Sequence, residues 1–143
     1  MNISYRLIDN PEDLKAAYAI RTQVFVEEQG VPAENEYDEF EEIAKHVLVL
    51  YDNQPAATGR LRNVNGIAKL ERICVLASHR SYGLGKAVVG ALEAVARDEG
   101  LTNAKLNAQT QAEQFYEKLG YRTQSDIFLE EDIPHVTMTK SII

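Results

Sequence analysis

Cysteine is nearly missing from this chain: Cys74 stands alone. One thiol excludes an intramolecular disulfide and suits a reducing compartment. Positive charge is also scarce. Fifteen Lys and Arg face 22 Asp and Glu, a formal charge of −7, so the basic footprint of a general nucleic-acid binder is missing. No apolar run approaches the roughly 18 residues of a membrane span, and Met1 to Arg6 lack a signal peptide's apolar core. No cluster of His, Cys and Asp has metal-site spacing. Internal repeats, low-complexity tracts and interdomain linkers are not visible either. These absences leave a soluble cytoplasmic protein as the expectation, with no nucleic acid, membrane or metal among its partners. Its 143 residues then read as one domain, 1–143, able to bury roughly two-thirds of its unfolded surface.

What the chain does have is regular punctuation. Ile3 to Ile8 reads as a strand. Asn10-Pro11 reads as the cap and first position of a helix. Leu14, Tyr18, Arg21 and Phe25 follow at helical spacing, and Gly30 ends the run. Pro32 to Glu42 is acidic and irregular, with room for a helical turn. His46–Tyr51, Ala56–Val64 and Ile67–Val75 read as a meander, its second turn marked by Asn65-Gly66. Leu84, Ala87, Val88, Ala91, Leu92 and Val95 make a helix stopped by Gly100. Ala104–Ala108 is a strand and Gln111–Leu119 a helix closed by Gly120. Strands near Arg122–Ser125 and Val136–Lys140 finish the chain. The order β-α-(α)-β-β-β-α-β-α-β-β predicts an α/β or α+β domain, with a mixed, largely antiparallel sheet and helices on both faces.

The segment Arg80-Ser81-Tyr82-Gly83-Leu84-Gly85 lies between an apolar strand and a helix. A helix N-terminus has unpaired N–H groups and about half a positive charge, and glycine lets the backbone approach a bound group. A phosphorylated ligand fits. Two phosphate loops are excluded by spacing. A P-loop needs glycine five positions before Gly85-Lys86 and Ser or Thr after it, where this chain has Arg80 and Ala87. A dinucleotide fingerprint needs a third glycine where Val88 stands.

The pattern Arg/Gln-x-x-Gly-x-Gly/Ala fits, and in it the chain resembles the GNAT N-acetyltransferases. Element order extends the resemblance over nearly the whole chain. It implies that acetyl-CoA is the co-substrate, its pyrophosphate held by backbone N–H groups from Ser81 through Tyr82, Gly83, Leu84 and Gly85 to Lys86. Arg80 and Lys86 would add cationic contacts. The strand Leu70–Val75 resembles the one that pairs with the pantetheine arm, which places Ile73, Cys74 and Val75 beside the thioester. A main-chain N–H there would act as oxyanion donor. Cys74 itself reads as a small buried apolar residue.

Ala112-Glu113-Gln114-Phe115-Tyr116-Glu117-Lys118-Leu119-Gly120-Tyr121 matches the family's Ala-x-x-Leu/Phe-Tyr-x-x-x-Gly-Phe/Tyr helix, with Phe115 on the coenzyme side. Tyr116 falls where the family's tyrosine protonates the leaving thiolate. It also shares an apolar helix face with Ala112, Phe115 and Leu119, so a core role is the alternative. Gln109 stands where many relatives have Asn, so Asn107 or Gln109 would supply the coenzyme's amide contact.

An alkylamine near pKa 10.4 needs about 4.6 kcal/mol for neutralisation at pH 7, so a base is expected. Glu71 and His135 are the two candidates, each with a structural alternative: Glu71 pairing with Arg72 or Arg62, and His135 satisfying a backbone carbonyl; His46 reads as structural. The loop with Glu34, Glu36, Asp38, Glu39, Glu41 and Glu42 either attracts a cationic amine or is merely solvated. The resemblance thus implies direct acetyl transfer in a ternary complex to a small-molecule or peptide amine. A non-catalytic acyl-CoA-binding or sensing module on the same fold is the alternative. Oligomeric state stays open, an edge-strand homodimer included.

Overall fold

Asn10 caps the first helix of the computed structural model, which describes residues 2–143: its side chain accepts the Asp13 N–H at 2.8 Å, and Pro11 takes the first helical position. Before it runs β1 (Ile3–Leu7). Helix α1 (Pro11–Arg21) passes directly into a π-helical segment, Thr22–Glu28, which ends near Gly30 at φ +76°. A single helix was expected here. The wider turn re-aims Val24 and Phe25, and such segments cluster at functional sites. A short α2 (Ala33–Glu36) follows.

The meander comprises β2 (Lys45–Tyr51), β3 (Gln54–Val64) and β4 (Ile67–Val75). Its two turns, Asp52-Asn53 and Asn65-Gly66, have positive φ at both positions, the geometry that matches strand twist. Then come α3 (Leu84–Asp98), β5 (Asn103–Gln109), α4 (Glu113–Lys118), β6 (Arg122–Thr123), β7 (Phe128–Glu130) and β8 (Ile133–Ser141). The expectation missed β7. Its hairpin turns on Glu131-Asp132, both at positive φ, without the Gly or Asn that normally signals such a turn.

The described strands form one mixed sheet in the order β1-β2-β3-β4-β5-β8-β6, with β7 on β8. Among the described residues the β4–β5 ladder is parallel and the others are antiparallel. Leu84, Val88, Leu92 and Val95 bury one face of α3 against Val47, Leu61, Leu70 and Leu106. Each such side chain contributes about 1.5–3 kcal/mol on full burial. Ala17, Ile20 and Val24 cover the other sheet face, over Leu48 and Cys74.

A bulge in β4 organises everything near the cleft. Arg60 pairs with Glu71 but Thr58 pairs with Cys74, so β4 carries one extra residue there. Arg72 takes φ +56°, left-handed backbone that a non-glycine residue resists by about 1–2 kcal/mol. The extra residue inverts the alternation. Ala68 and Leu70 face α3 before it, whereas Ile73 and Val75 do so after it; Cys74 joins the α1 side. Gly59 sits opposite the bulge, where α3 packs so closely that a Cβ would lie 2.7 Å from Val88.

Candidate functional site

β4 and β5 pair only from Ala68–Ala104 to Leu70–Leu106. Beyond that point the bulge turns β4 away, and the two strands part. The main-chain groups of Glu71 to Val75 on that edge have no partner strand among the described residues. An unpaired strand edge is a template for an extended ligand. A cleft of about 680 Å³ opens here, lined by Ile73, Cys74, Val75, Arg80, Gly85, Phe115 and Tyr116, and by Glu71, Asn107, Gln109 and His135 farther along. Most of the residues singled out in the sequence therefore converge. Ser81, Tyr82, Gly83, Leu84 and Lys86 lie outside the lining: Leu84 is buried beneath the loop, the other four are exposed, and Tyr82 stacks on Tyr51.

At one end stands the N-terminus of α3. Ser81 and Gly83 both take positive φ, 77° and 80°, which turns successive N–H groups to one side and makes an anion-binding concavity. No side chain caps this helix, leaving its first N–H groups for a ligand. Gly85 lies against α4: a Cβ on it would sit 3.1 Å from the Phe115 ring. Arg80 is half-exposed and bonded to Glu28 and to the Val75 carbonyl oxygen.

Tyr116 reaches the gap between β4 and β5 from the α3 side. It is 9% exposed, packs edge-on to Phe115 and Tyr121, and its hydroxyl has no hydrogen-bond partner among the described residues. Burial pushes its pKa up to about 12. It is thus a protonated donor at the cleft wall as well as part of the core. Burial also pushes the Cys74 thiol up, which keeps it protonated and inert.

Glu71 does not suit the role of base. Arg62 grips both its oxygens at 2.8 and 3.0 Å, Arg60 reaches it at 2.9 Å and Lys69 at 3.1 Å. Against the opposing effect of burial, these cations hold its pKa down to about 2, which makes it a clamped anion and a weak base. His135 is better disposed. Its Nδ1 lies 2.6 Å from the Ile133 carbonyl oxygen, so Nδ1 donates that bond and Nε2 is the nitrogen left for other partners. Nε2 lies 3.6 Å from Glu130, and Phe128 stacks on the ring. Asn107 bonds Glu130 and Thr137, and Gln109 bonds Gln29 across the cleft.

The acidic loop divides: Glu34, Glu39 and Glu42 are exposed, as a solvated loop would have them, and the other three acids are not. Glu36, Asp38 and Glu41 turn inward onto Arg21, Arg60 and Arg72. Arg21 and Arg60 are each 1% exposed, and a buried cation demands paired carboxylates. The Arg60 and Arg72 guanidiniums, with a backbone bond, overcome partial burial to hold the Asp38 pKa down to about 2. Burial instead raises that of Glu36. This network was invisible in the sequence because its bonded partners lie up to 36 positions apart; Arg21 within an apolar helix face was the one trace of it.

A family model described as an acetyltransferase (GNAT) domain matches residues 10–142. An uncharacterized N-acetyltransferase of Bacillus subtilis is 51% identical over 132 residues, which span 92% of this chain and 94% of that protein. Among solved structures, an acyl-CoA N-acyltransferase of Pseudomonas aeruginosa superposes with a TM-score of 0.85 at 27% identity, covering 98% of this chain and 100% of that one. An N-acetyltransferase of Thermoplasma acidophilum in complex with coenzyme A shares the fold, with a TM-score of 0.73 at 15% identity over 99% of each chain.

Proposed function

Because the chain belongs to the GNAT acetyltransferase family, we propose that it moves the acetyl group of acetyl-CoA to a primary amine by direct attack in a ternary complex. The parting of β4 from β5 carries this reading. It leaves a free strand edge beside an uncapped helix N-terminus, with a protonated tyrosine at the gap. Pantetheine amides would extend β4 as an added strand, and the phosphates would meet the α3 N-terminus with Arg80 and Lys86.

The edge N–H groups of Ile73 to Val75 would stabilise the oxyanion, since donors held at developing charge lower the barrier. Tyr116 would return a proton to the departing thiolate. A phenol at about 12 stands some 5 kcal/mol from a free thiol near 8.5. The thiolate forms in the same dry cleft, which raises its own pKa and narrows that gap. His135 would take the amine's proton through Nε2, with Glu130 stabilising the resulting imidazolium. Calorimetric titration with CoA, followed by thiol-release assays with acetyl-CoA and an amine panel, tests the reading. Micromolar binding and amine-dependent release are expected; no binding at millimolar CoA overturns it.

A further inference from the structure

The sheet face turned toward α1 carries cations in register. Arg62 lies opposite Lys69 across β3–β4, and Lys69 lies opposite Lys105 across β4–β5. Like charges directly across a ladder repel, which makes this row conspicuous in a chain of net charge −7. One carboxylate, Glu71, sits among them and is already shared by Arg60, Arg62 and Lys69. A carboxylate offers about four acceptor sites, whereas a guanidinium has five donors and an ammonium three. Donors remain in excess. Arg72 adds another: Nε and Nη2 bind Glu36 and Asp38, while Nη1 has no partner among the described residues.

Arg62, Lys69 and Arg72 all line the cleft, and their side chains are 14%, 23% and 25% exposed. At that exposure a charge is screened less than on open surface. The Arg62 guanidinium also lies 3.8 Å over the Phe40 ring, which holds it flat against the wall. Across the cleft stand His135, Glu130 and Glu131. One wall is cationic with spare donors; the other is a base flanked by carboxylates.

We infer that the acceptor is an amine that also bears an anionic oxygen group, a carboxylate or a phosphate, which Arg62, Lys69 and Arg72 hold while the amine faces His135 and Glu130. This rests on the acetyl-transfer reading. A zwitterionic acceptor matches both walls, whereas a diamine would set its second cation against the arginines. Of the loop carboxylates that could draw a cationic acceptor, those lining the cleft, Glu36 and Asp38, are bonded to Arg21, Arg60 and Arg72.

The test is an initial-rate comparison in low salt between amines matched in size. Glycine and O-phosphoethanolamine are set against ethanolamine, and ornithine against 1,4-diaminobutane. At least a tenfold higher kcat/KM for an anionic member is expected, the glycine and phosphate arms showing which group is read. Lys69→Gln should raise KM for that acceptor fivefold or more and leave KM for acetyl-CoA unchanged. A preference for ethanolamine or 1,4-diaminobutane, or an anion preference untouched by Lys69→Gln, overturns the inference while acetyl transfer stands. Thermal-shift titration with the same compounds reads binding without turnover. Stabilisation by an anionic member, lost in Lys69→Gln, is expected even from an inactive protein, and its absence in the unsubstituted chain overturns the inference. Failure to bind or use the coenzyme overturns acetyl transfer separately.

Discussion

Arg80 donates to both carboxylate oxygens of Glu28, at 2.6 and 2.7 Å, and to the carbonyl oxygen of Val75, at 3.0 and 3.2 Å. One guanidinium thereby ties the π-helical segment, the free edge of β4 and the loop before α3. Both side chains of the ion pair are more than two-fifths exposed, so it contributes at most about 1 kcal/mol. On the proposed function, a phosphate arriving at the loop would compete with Glu28 for the same donors.

Glu28→Gln should therefore bind CoA two- to fivefold more tightly in calorimetry at low salt, with the gain shrinking as salt screens the contact. Weaker binding would mean that Glu28 positions Arg80 instead of competing for it.

Tyr116→Phe should lower kcat about 10- to 100-fold, the range of one lost proton donor, with KM for acetyl-CoA within twofold. Its hydroxyl has no partner among the described residues, so the melting temperature should stay within about 2 °C. An unchanged kcat with chemistry rate-limiting would assign Tyr116 to the core alone.

His135→Ala should lower kcat/KM at pH 7 by about 10²- to 10⁴-fold, the usual worth of a general base. Without a base, the rate should follow the free-amine fraction and climb tenfold per pH unit toward the amine's pKa. A flat profile in the variant would place the base elsewhere. The matched substitution Glu71→Gln should chiefly reduce stability, by about 2–3 kcal/mol, because it leaves nearby buried cations short of a partner.

Acid unfolding should report the arginine network. The folded-state pKa values of Glu71 and Asp38, each about 2, lie below the ordinary 4.5 and 3.8. A depressed carboxylate stabilises above its unfolded pKa, and that contribution is lost as pH falls. Stability should drop between about pH 5 and pH 2, with Glu36, whose pKa is raised, opposing the trend. Denaturant midpoints across this range check it: Glu71→Gln should flatten the slope, and an unaltered slope would remove Glu71 from the account.

Gly59→Ala should destabilise by about 1–3 kcal/mol, the usual penalty of overpacking, because its Cβ would lie 2.7 Å from Val88 and 2.9 Å from Leu92. Thermal melts check this. A neutral result would mean that α3 can shift away from the bulge.

Local chemistry made most of the fold legible. Asn10-Pro11, Asn65-Gly66, Gly83 and the period of Leu84 to Val95 act over a few residues, so the sequence alone determined most of the element order and the glycine turn before α3. β7 escaped because Glu131-Asp132 adopts its turn without the customary residues. The positions of Tyr116 and of the Ile73–Val75 edge were legible through resemblance to a family motif.

Most charge partners were not legible, because ion pairing acts across space. Glu71, read either as a base or as a partner of Arg62 or Arg72, is a clamped anion held by Arg62; Glu36, Asp38 and Glu41, read as an attracting field or a solvated loop, are the counter-ions of arginines. Strand order alone put Arg62, Lys69 and Lys105 in one row, and the bulge at Arg72 alone parted β4 from β5. The sequence by itself thus determined the shape of the helix end, a glycine turn suited to an anion, since that depends on adjacent backbone. The tertiary structure decided which charges remain free to meet an acceptor, since that depends on which partners folding brings within reach.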